Sequence, residues 1–194
     1  MAFEIVVVGA SSGGLKALQR LLSGLSDKFR LPIVIVQHRG KDSEPALCEF
    51  LAQHSSLAIS EPNDKDPILD GHVYLAPSDY HLLITERSFA LSIDAPVAFA
   101  RPSIDLLFES AAHEYGDRAI GVILTGSNSD GARGLAKIKS RCGLAIVEEP
   151  GKASCAEMPT AAIQGCNVDW VTTLENIPPL LEQLSSSMVG QYAS

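Results

Sequence analysis

The sequence predicts an α/β fold: a mostly parallel, doubly wound sheet flanked by helices, with a short antiparallel β-hairpin. Three observations carry this. Short runs rich in valine and isoleucine, at 3–8, 33–36, 119–124 and 144–147, are apolar at nearly every position, the pattern of strands buried on both faces. Between such runs apolar residues recur at helical spacing, as at Leu15, Leu18, Leu21 and Leu22. In the middle of the chain the alternation breaks into short strands separated by turn residues, which is how a hairpin reads.

Taken in order, strand 3–8 ends in the glycine-rich turn 9–14, and a helix follows it. Pro32 opens strand 33–36. Ser43 is a suitable N-cap, with Glu44 and Pro45 in the first turn of a helix running towards His54. Segments 72–77, 81–85 and 89–93 form the antiparallel excursion. Ser103 caps a helix reaching about Tyr115, strand 119–124 follows, and turn 125–131 leads into a helix towards Ser140. The last strands are 144–147 and 168–172, with helices near 157–163 and 177–184. A single domain is expected over 1–184, with 185–194 as a flexible tail.

Hydrophobic residues make up 46% and charged residues 20% of the 194, ordinary for a globular chain and unlike a disordered one. With 15 basic and 23 acidic residues the net charge is −8, which argues against nucleic acid as a partner. No apolar run approaches the ~20 residues of a membrane span, and the N-terminus lacks a basic region ahead of a long apolar stretch. No membrane insertion and a cytoplasmic location are expected. Cys48, Cys142, Cys155 and Cys166 form no C-x-x-C pair and no cluster with histidine at metal-ligand spacing. They read as reduced, partly buried thiols. No metal and no cofactor are expected. Lys152, close to Cys155 in sequence, keeps a thiol nucleophile there as an alternative.

The chemistry concentrates at three strand ends, where ligands sit in open α/β sheets. Gly9-Ala10-Ser11-Ser12-Gly13 matches G-x-S-x-G between a strand and a helix, the setting of a nucleophile elbow. Glycines allow the sharp turn, and the helix N-terminus offers free N–H groups to an oxyanion. Alone, the motif reads equally as an anion-binding turn, although neither G-x-G-x-x-G nor a P-loop lysine is present. His38 follows the second buried strand, placed like a general base; alone, it reads as a structural histidine. Asp130 lies in Thr125-Gly126-Ser127-Asn128-Ser129-Asp130-Gly131-Ala132, and alone it reads as the N-cap of the helix after it. Together, Ser11, His38 and Asp130 are the parts of a hydrolytic triad, which is recognised by geometry and not by chain order. Their order differs from that of the α/β-hydrolases, so the elbow motif does not assign that fold.

These residues, with Val36-Gln37-His38, Tyr74-Leu75-Ala76-Pro77 and His81, 101–108, Leu124-Thr125-Gly126, Asp130-Gly131-Ala132, Ala153-Ser154-Cys155 and Met158-Pro159, carry a family likeness. From Ile5 to about Pro179 the chain resembles the catalytic domain of the CheB-type chemotaxis protein-glutamate methylesterases. The resemblance implies Ser11 as nucleophile, His38 as base and Asp130 as the residue that orients it. It implies hydrolysis of glutamate γ-methyl esters on the cytoplasmic helices of chemoreceptors, with glutamine deamidation in some members. The backbone amides of Ser12 and Ser127 are the expected oxyanion donors. Arg101 and Met158 are the substrate-binding candidates: Arg101 holds a substrate carboxylate or lies over the cleft, with a structural ion pair as the alternative, and Met158 shapes the rim of the site or starts a helix. His54, His72 and His113 read as surface or structural, and Trp170 as core.

Two departures stand out. Many members carry methionine-glycine where this chain has Ser127-Asn128, which bears on the oxyanion hole. An N-terminal phospho-acceptor receiver domain, frequent in the family, has no counterpart in this chain, so no regulation by phosphorylation within it is expected. Two other functions stay open on sequence grounds: a hydrolase with the same triad acting on a non-chemotaxis ester or amide, and a non-catalytic module gripping an anion at 9–14.

Overall fold

The computed structural model describes residues 2–38, 46–97 and 99–186. Its strands are β1 (Ile5–Ala10), β2 (Ile33–Gln37), β3 (Ala58–Ser60), β4 (His72–Leu75), β5 (His81–Thr85), β6 (Ser88–Ser92), β7 (Ala119–Ile123), β8 (Leu144–Glu148) and β9 (Trp170–Thr172). Its helices are α1 (Gly14–Ser23), α2 (Ala46–Ala52), α3 (Ile104–Tyr115), α4 (Ala132–Ser140), α5 (Glu157–Gly165) and α6 (Ile177–Ser186). Seven strands form one sheet in the order β3-β4-β2-β1-β7-β8-β9, all parallel, while β5 and β6 pair antiparallel.

Side-chain alternation divides the core. Val6, Val8 and Ala10 of β1 pack with Leu18, Leu21 and Leu22 of α1, Leu51 of α2 and Ile177 and Leu181 of α6. Ile5 and Val7 face the other way, onto Leu107 and Phe108 of α3, Leu135 and Ile138 of α4, and the hairpin residues Leu82 and Phe89. A strand covered on both faces needs apolar residues at every position, which is why β1, β2, β7 and β8 were legible as continuous runs.

The structure corrects several details. Segment 72–77 is not part of the antiparallel excursion: it supplies β4, parallel to β2 with Val73 opposite Ile33, because Val73 and Leu75 bury against the α1 side of the sheet. Only β5 and β6 form the hairpin. The short edge strand β3 was not read from sequence. Trp170 is 37% exposed and not core, since β9 is the edge strand at the other end of the sheet. Cys142 is exposed, whereas Cys48, Cys155 and Cys166 are partly buried. Helix α6 runs past the expected boundary at Leu184 to Ser186. The cap expected at Ser43 to Pro45 lies outside the described residues, as does 187–194.

From β1 the chain moves to β2 on one side; from β7 it moves to β8 on the other. The crevice between the carboxyl ends of β1 and β7 is therefore the topological switch point, where such sheets place their ligands.

Candidate active site

Ser11 and His38 leave adjacent strands at the same level. Ala10 pairs with Gln37, and the His38 backbone N–H still donates to the Ala10 carbonyl at 2.9 Å. Ser11 donates its own N–H to the Thr125 carbonyl at 3.0 Å, tying the turn after β1 to the turn after β7. Helix α1 then starts without a side-chain cap, at Gly13 with φ 82°. That left-handed conformation favours glycine, and a Cβ there would come within 2.7 Å of Ser154 Cβ. The start of α1, with its uncapped N–H donors and positive dipole end, thus lies directly beside Ser11.

His38 is 13% exposed in its side chain, and its Nε2 lies 2.8 Å from Asp130 Oδ2, itself 1% exposed. Asp130 is not the N-cap of the helix that follows it, the role it has on sequence alone; Gly131 stands there, and the carboxylate reaches the start of α3 instead, whose N-cap is Ser103 as expected. Its Oδ2 also accepts the Ile104 N–H at 2.8 Å, and its Oδ1 accepts the Asp105 N–H and the Ser103 hydroxyl at 3.0 Å each. Burial by itself would raise the Asp130 carboxyl. The hydrogen bonds from His38 and from the amides of Asp105 and Ile104 outweigh it and hold the group below the ordinary carboxylate range. Ser103 is fixed in turn by its N–H donating to Nδ1 of the buried His81 at 3.2 Å.

The other ring nitrogen of His38 meets the loop after β7. Asn128 Nδ2 lies 3.2 Å from His38 Nδ1, while Asn128 Oδ1 accepts the Asp130 N–H at 3.0 Å. Among the described residues no hydrogen bond joins Ser11 Oγ to the ring. The serine and the histidine are neighbours, but the ring's second nitrogen is occupied by Asn128. The amides of Ser12 and Ser127 have no partner among the described residues. The two side-chain oxygens bridge the loops at 2.8 Å. Ser12, Ser127, Asn128 and Ser129 are exposed, so the site opens to solvent.

The two substrate-binding candidates, Arg101 and Met158, both make contacts within the scaffold. Arg101 donates to Asp79 Oδ1 at 2.6 and 3.2 Å, and to the carbonyls of Ile93 and Asp94 at 2.9 and 3.1 Å. Of the roles weighed for it, the ion pair is present. Met158 is 1% exposed and supports the β7 loop from below: its N–H donates to the Gly126 carbonyl at 2.9 Å, and a Cβ on Gly126 would come within 2.6 Å of Met158 Cε.

Sequence reasoning missed three supporting residues. Gln37 sends Nε2 to the carbonyls of both Ser11 and His38, at 2.9 and 2.8 Å. Thr125 Oγ1 donates to the Ser12 carbonyl and accepts the Cys155 N–H, each at 2.8 Å. Glu148, buried at the end of β8, accepts the Thr125 N–H at 2.8 Å; burial pushes its carboxyl up, and that N–H offsets part of the rise. A polar residue closing an apolar strand was the available signal for Gln37 and Glu148. Among the described residues no group of His, Cys, Asp and Glu is arranged to hold a metal ion.

The sequence model of the family described as CheB methylesterase matches residues 6–181. A Leptospira interrogans protein, provisionally named protein-glutamate methylesterase/protein-glutamine glutaminase, is 46% identical over 98% of this chain and 100% of its own length. An Anaeromyxobacter dehalogenans protein of that name is 41% identical over 94% of this chain but 53% of its own length. The crystal structure of the Thermotoga maritima CheB methylesterase catalytic domain superposes with a TM-score of 0.89 at 32% identity, covering 95% of this chain and all of that one. Sequence and fold agree over nearly the whole chain: it belongs to the CheB methylesterase family.

Proposed function

We propose that the protein is a serine hydrolase that removes methyl groups from glutamate γ-methyl esters of chemoreceptor proteins, and that the same site deamidates glutamine. Ser11 Oγ attacks the ester carbonyl while His38 Nδ1 takes its proton. The tetrahedral oxyanion is held by the amides of Ser12 and Ser127; a single such donor is worth about 10²–10³ in rate. Its collapse expels methanol, with His38 returning the proton to the leaving oxygen. Water then hydrolyses the γ-glutamyl ester of Ser11 through the same base, leaving a glutamate carboxylate. With an amide substrate, ammonia leaves in place of methanol. Asp130 keeps the hydrogen on Nε2 and stabilises the imidazolium formed in each half-reaction.

The observation that carries this reading is the 2.8 Å contact between His38 Nε2 and buried Asp130, beside the serine of a strand-to-helix elbow. With Nε2 committed to Asp130, Nδ1 is the ring nitrogen left to accept a proton. The names of the relatives supply the substrate class. The test is methanol release from methylated chemoreceptor cytoplasmic fragments. Wild type is expected to release methanol, and Ser11→Ala and His38→Ala to lose nearly all of that activity. The double variant should be hardly worse than either, because triad members act as one unit. Full activity in Ser11→Ala would remove the mechanism. Hydrolysis of a small ester without methanol release from the receptor would keep the mechanism and replace the substrate.

A further inference from the structure

The side chain of Asn128 closes a ring of hydrogen bonds around the candidate base. The Asp130 N–H donates to Asn128 Oδ1 at 3.0 Å, Asn128 Nδ2 faces His38 Nδ1 at 3.2 Å, and His38 Nε2 faces Asp130 Oδ2 at 2.8 Å. The directions in this ring are fixed. A backbone N–H can only donate, so the Asn128 atom meeting it is the carbonyl oxygen and the atom facing the ring is the NH₂ group. An NH₂ group only donates, so Nδ1 carries no hydrogen and the ring hydrogen lies on Nε2, pointing at the carboxylate. This is the tautomer a general base requires. An unprotonated ring nitrogen, however, has a single in-plane lone pair, and here Asn128 uses it. Ser11, at the end of the neighbouring strand, has no hydrogen bond to the ring among the described residues.

We infer that Asn128 is a positioning residue that holds His38 in its base tautomer at rest and competes with Ser11 for Nδ1, so that its withdrawal is a step in arming the nucleophile. The inference rests on Ser11 and His38 acting as proposed above. Two features fit a movable group. Asn128 is exposed at the open edge of the site, and no other hydrogen bond of its side chain is present among the described residues. Once His38 has taken the serine proton, Nδ1–H can no longer accept from NH₂, so the contact cannot persist through the reaction in its resting form.

The two halves of the inference predict opposite effects for two substitutions. Asn128→Ala removes the competing donor, while Asp130 still keeps the ring hydrogen on Nε2. Asn128→Asp keeps an acceptor for the Asp130 N–H but places an acceptor against Nδ1, which draws the ring hydrogen to that nitrogen and disarms the base. The measurement is the second-order rate of labelling by a fluorophosphonate probe, followed with ring ¹⁵N shifts of His38 and thermal unfolding of each variant. Asn128→Ala is expected to label about three- to tenfold faster than wild type, the span covered by the net worth of one hydrogen bond. Asn128→Asp is expected to label more slowly, with its ring shifts moved towards the Nδ1–H form. A folded Asn128→Ala that labels at the wild-type rate or below it overturns the inference and leaves the hydrolase reading intact. So does an Asn128→Asp that labels faster. If wild type does not label, or labelling survives Ser11→Ala, the nucleophile itself is wrong and both readings fall.

Discussion

Asp130 shows how one side chain joins structure to chemistry. A carboxylate that is 1% exposed is tolerated as an anion only if its lone pairs are met, and here two amides, a hydroxyl and an imidazole meet them. Burial opposes ionisation, but the donors win and hold the group below its ordinary range. A carboxyl depressed in the folded state contributes stability that is present above the unfolded value, ~3.9, and lost as pH falls through the lower folded value. Asn at this position keeps one acceptor but turns an NH₂ group towards donors. Asp130→Asn should therefore unfold about 1–3 kcal/mol more easily near neutral pH, and the gap should narrow as the pH is lowered below about 4. A series of thermal unfolding curves reads this directly, and a gap independent of pH would show that the charge is not what the site stabilises. Hydrolysis should fall further than stability, by about 10³–10⁴, because the wrong ring tautomer is then favoured. That His38 and an acid would meet was readable from residue types at strand ends. That the acid serves a helix remote in sequence was not, since caps are read on the adjacent helix.

At the scale of elements, α3 and α4 exchange carboxylates. Asp130, just before α4, accepts the first amides of α3, while Asp105, in the first turn of α3, accepts the N–H groups of Gly131 and Gly134 at 2.9 and 2.7 Å. Each helix start is thereby completed by the other, and the loop carrying Asp130 is clamped at both ends. Burial raises the Asp105 carboxyl, and the nearby Asp130 charge adds to this; the amides and Arg133 oppose it without cancelling it. The acceptor therefore matters more than the charge. Asp105→Ala should cost about 1–2 kcal/mol and loosen Asp130, whereas Asp105→Asn, which retains an acceptor, should stay within about 1 kcal/mol of wild type. Denaturant melts separate the two, and equal losses would mean that the charge is essential. The buried strands were legible because both faces are covered. β3 was not, having three residues at a sheet edge, and β4 was misplaced because its partner β2 lies far away in sequence and parallel pairing leaves no local turn signal.

The whole molecule sets how a substrate is met. The doubly wound order places the loops after β1, β2 and β7 on one edge, so a serine, a histidine and an acid from distant parts of the sequence converge on an open surface. An open site suits a side chain presented on a wide helical partner better than it suits a small ligand needing enclosure. The chain carries a net charge of −8, and each ester hydrolysed leaves the partner one carboxylate more negative. Basic groups compensate only where they are unpaired, but Arg101 is paired with Asp79, and Arg133 with Glu109 at 2.7 Å; Arg39 and Lys41 lie outside the described residues. Long-range charge should then oppose encounter with a partly demethylated receptor segment. Screening shortens its reach from about 30 Å at 0.01 M salt to about 8 Å at 0.15 M. kcat/KM for methanol release from receptor fragments is accordingly expected to rise several-fold over that interval, and more steeply as more sites are already demethylated. A small neutral ester, which requires the catalytic groups but no approach of like charges, should show no such rise. A receptor rate that falls with salt would mean that cations govern docking, with Arg39 and Lys41, which follow His38 in the sequence, the first to neutralise.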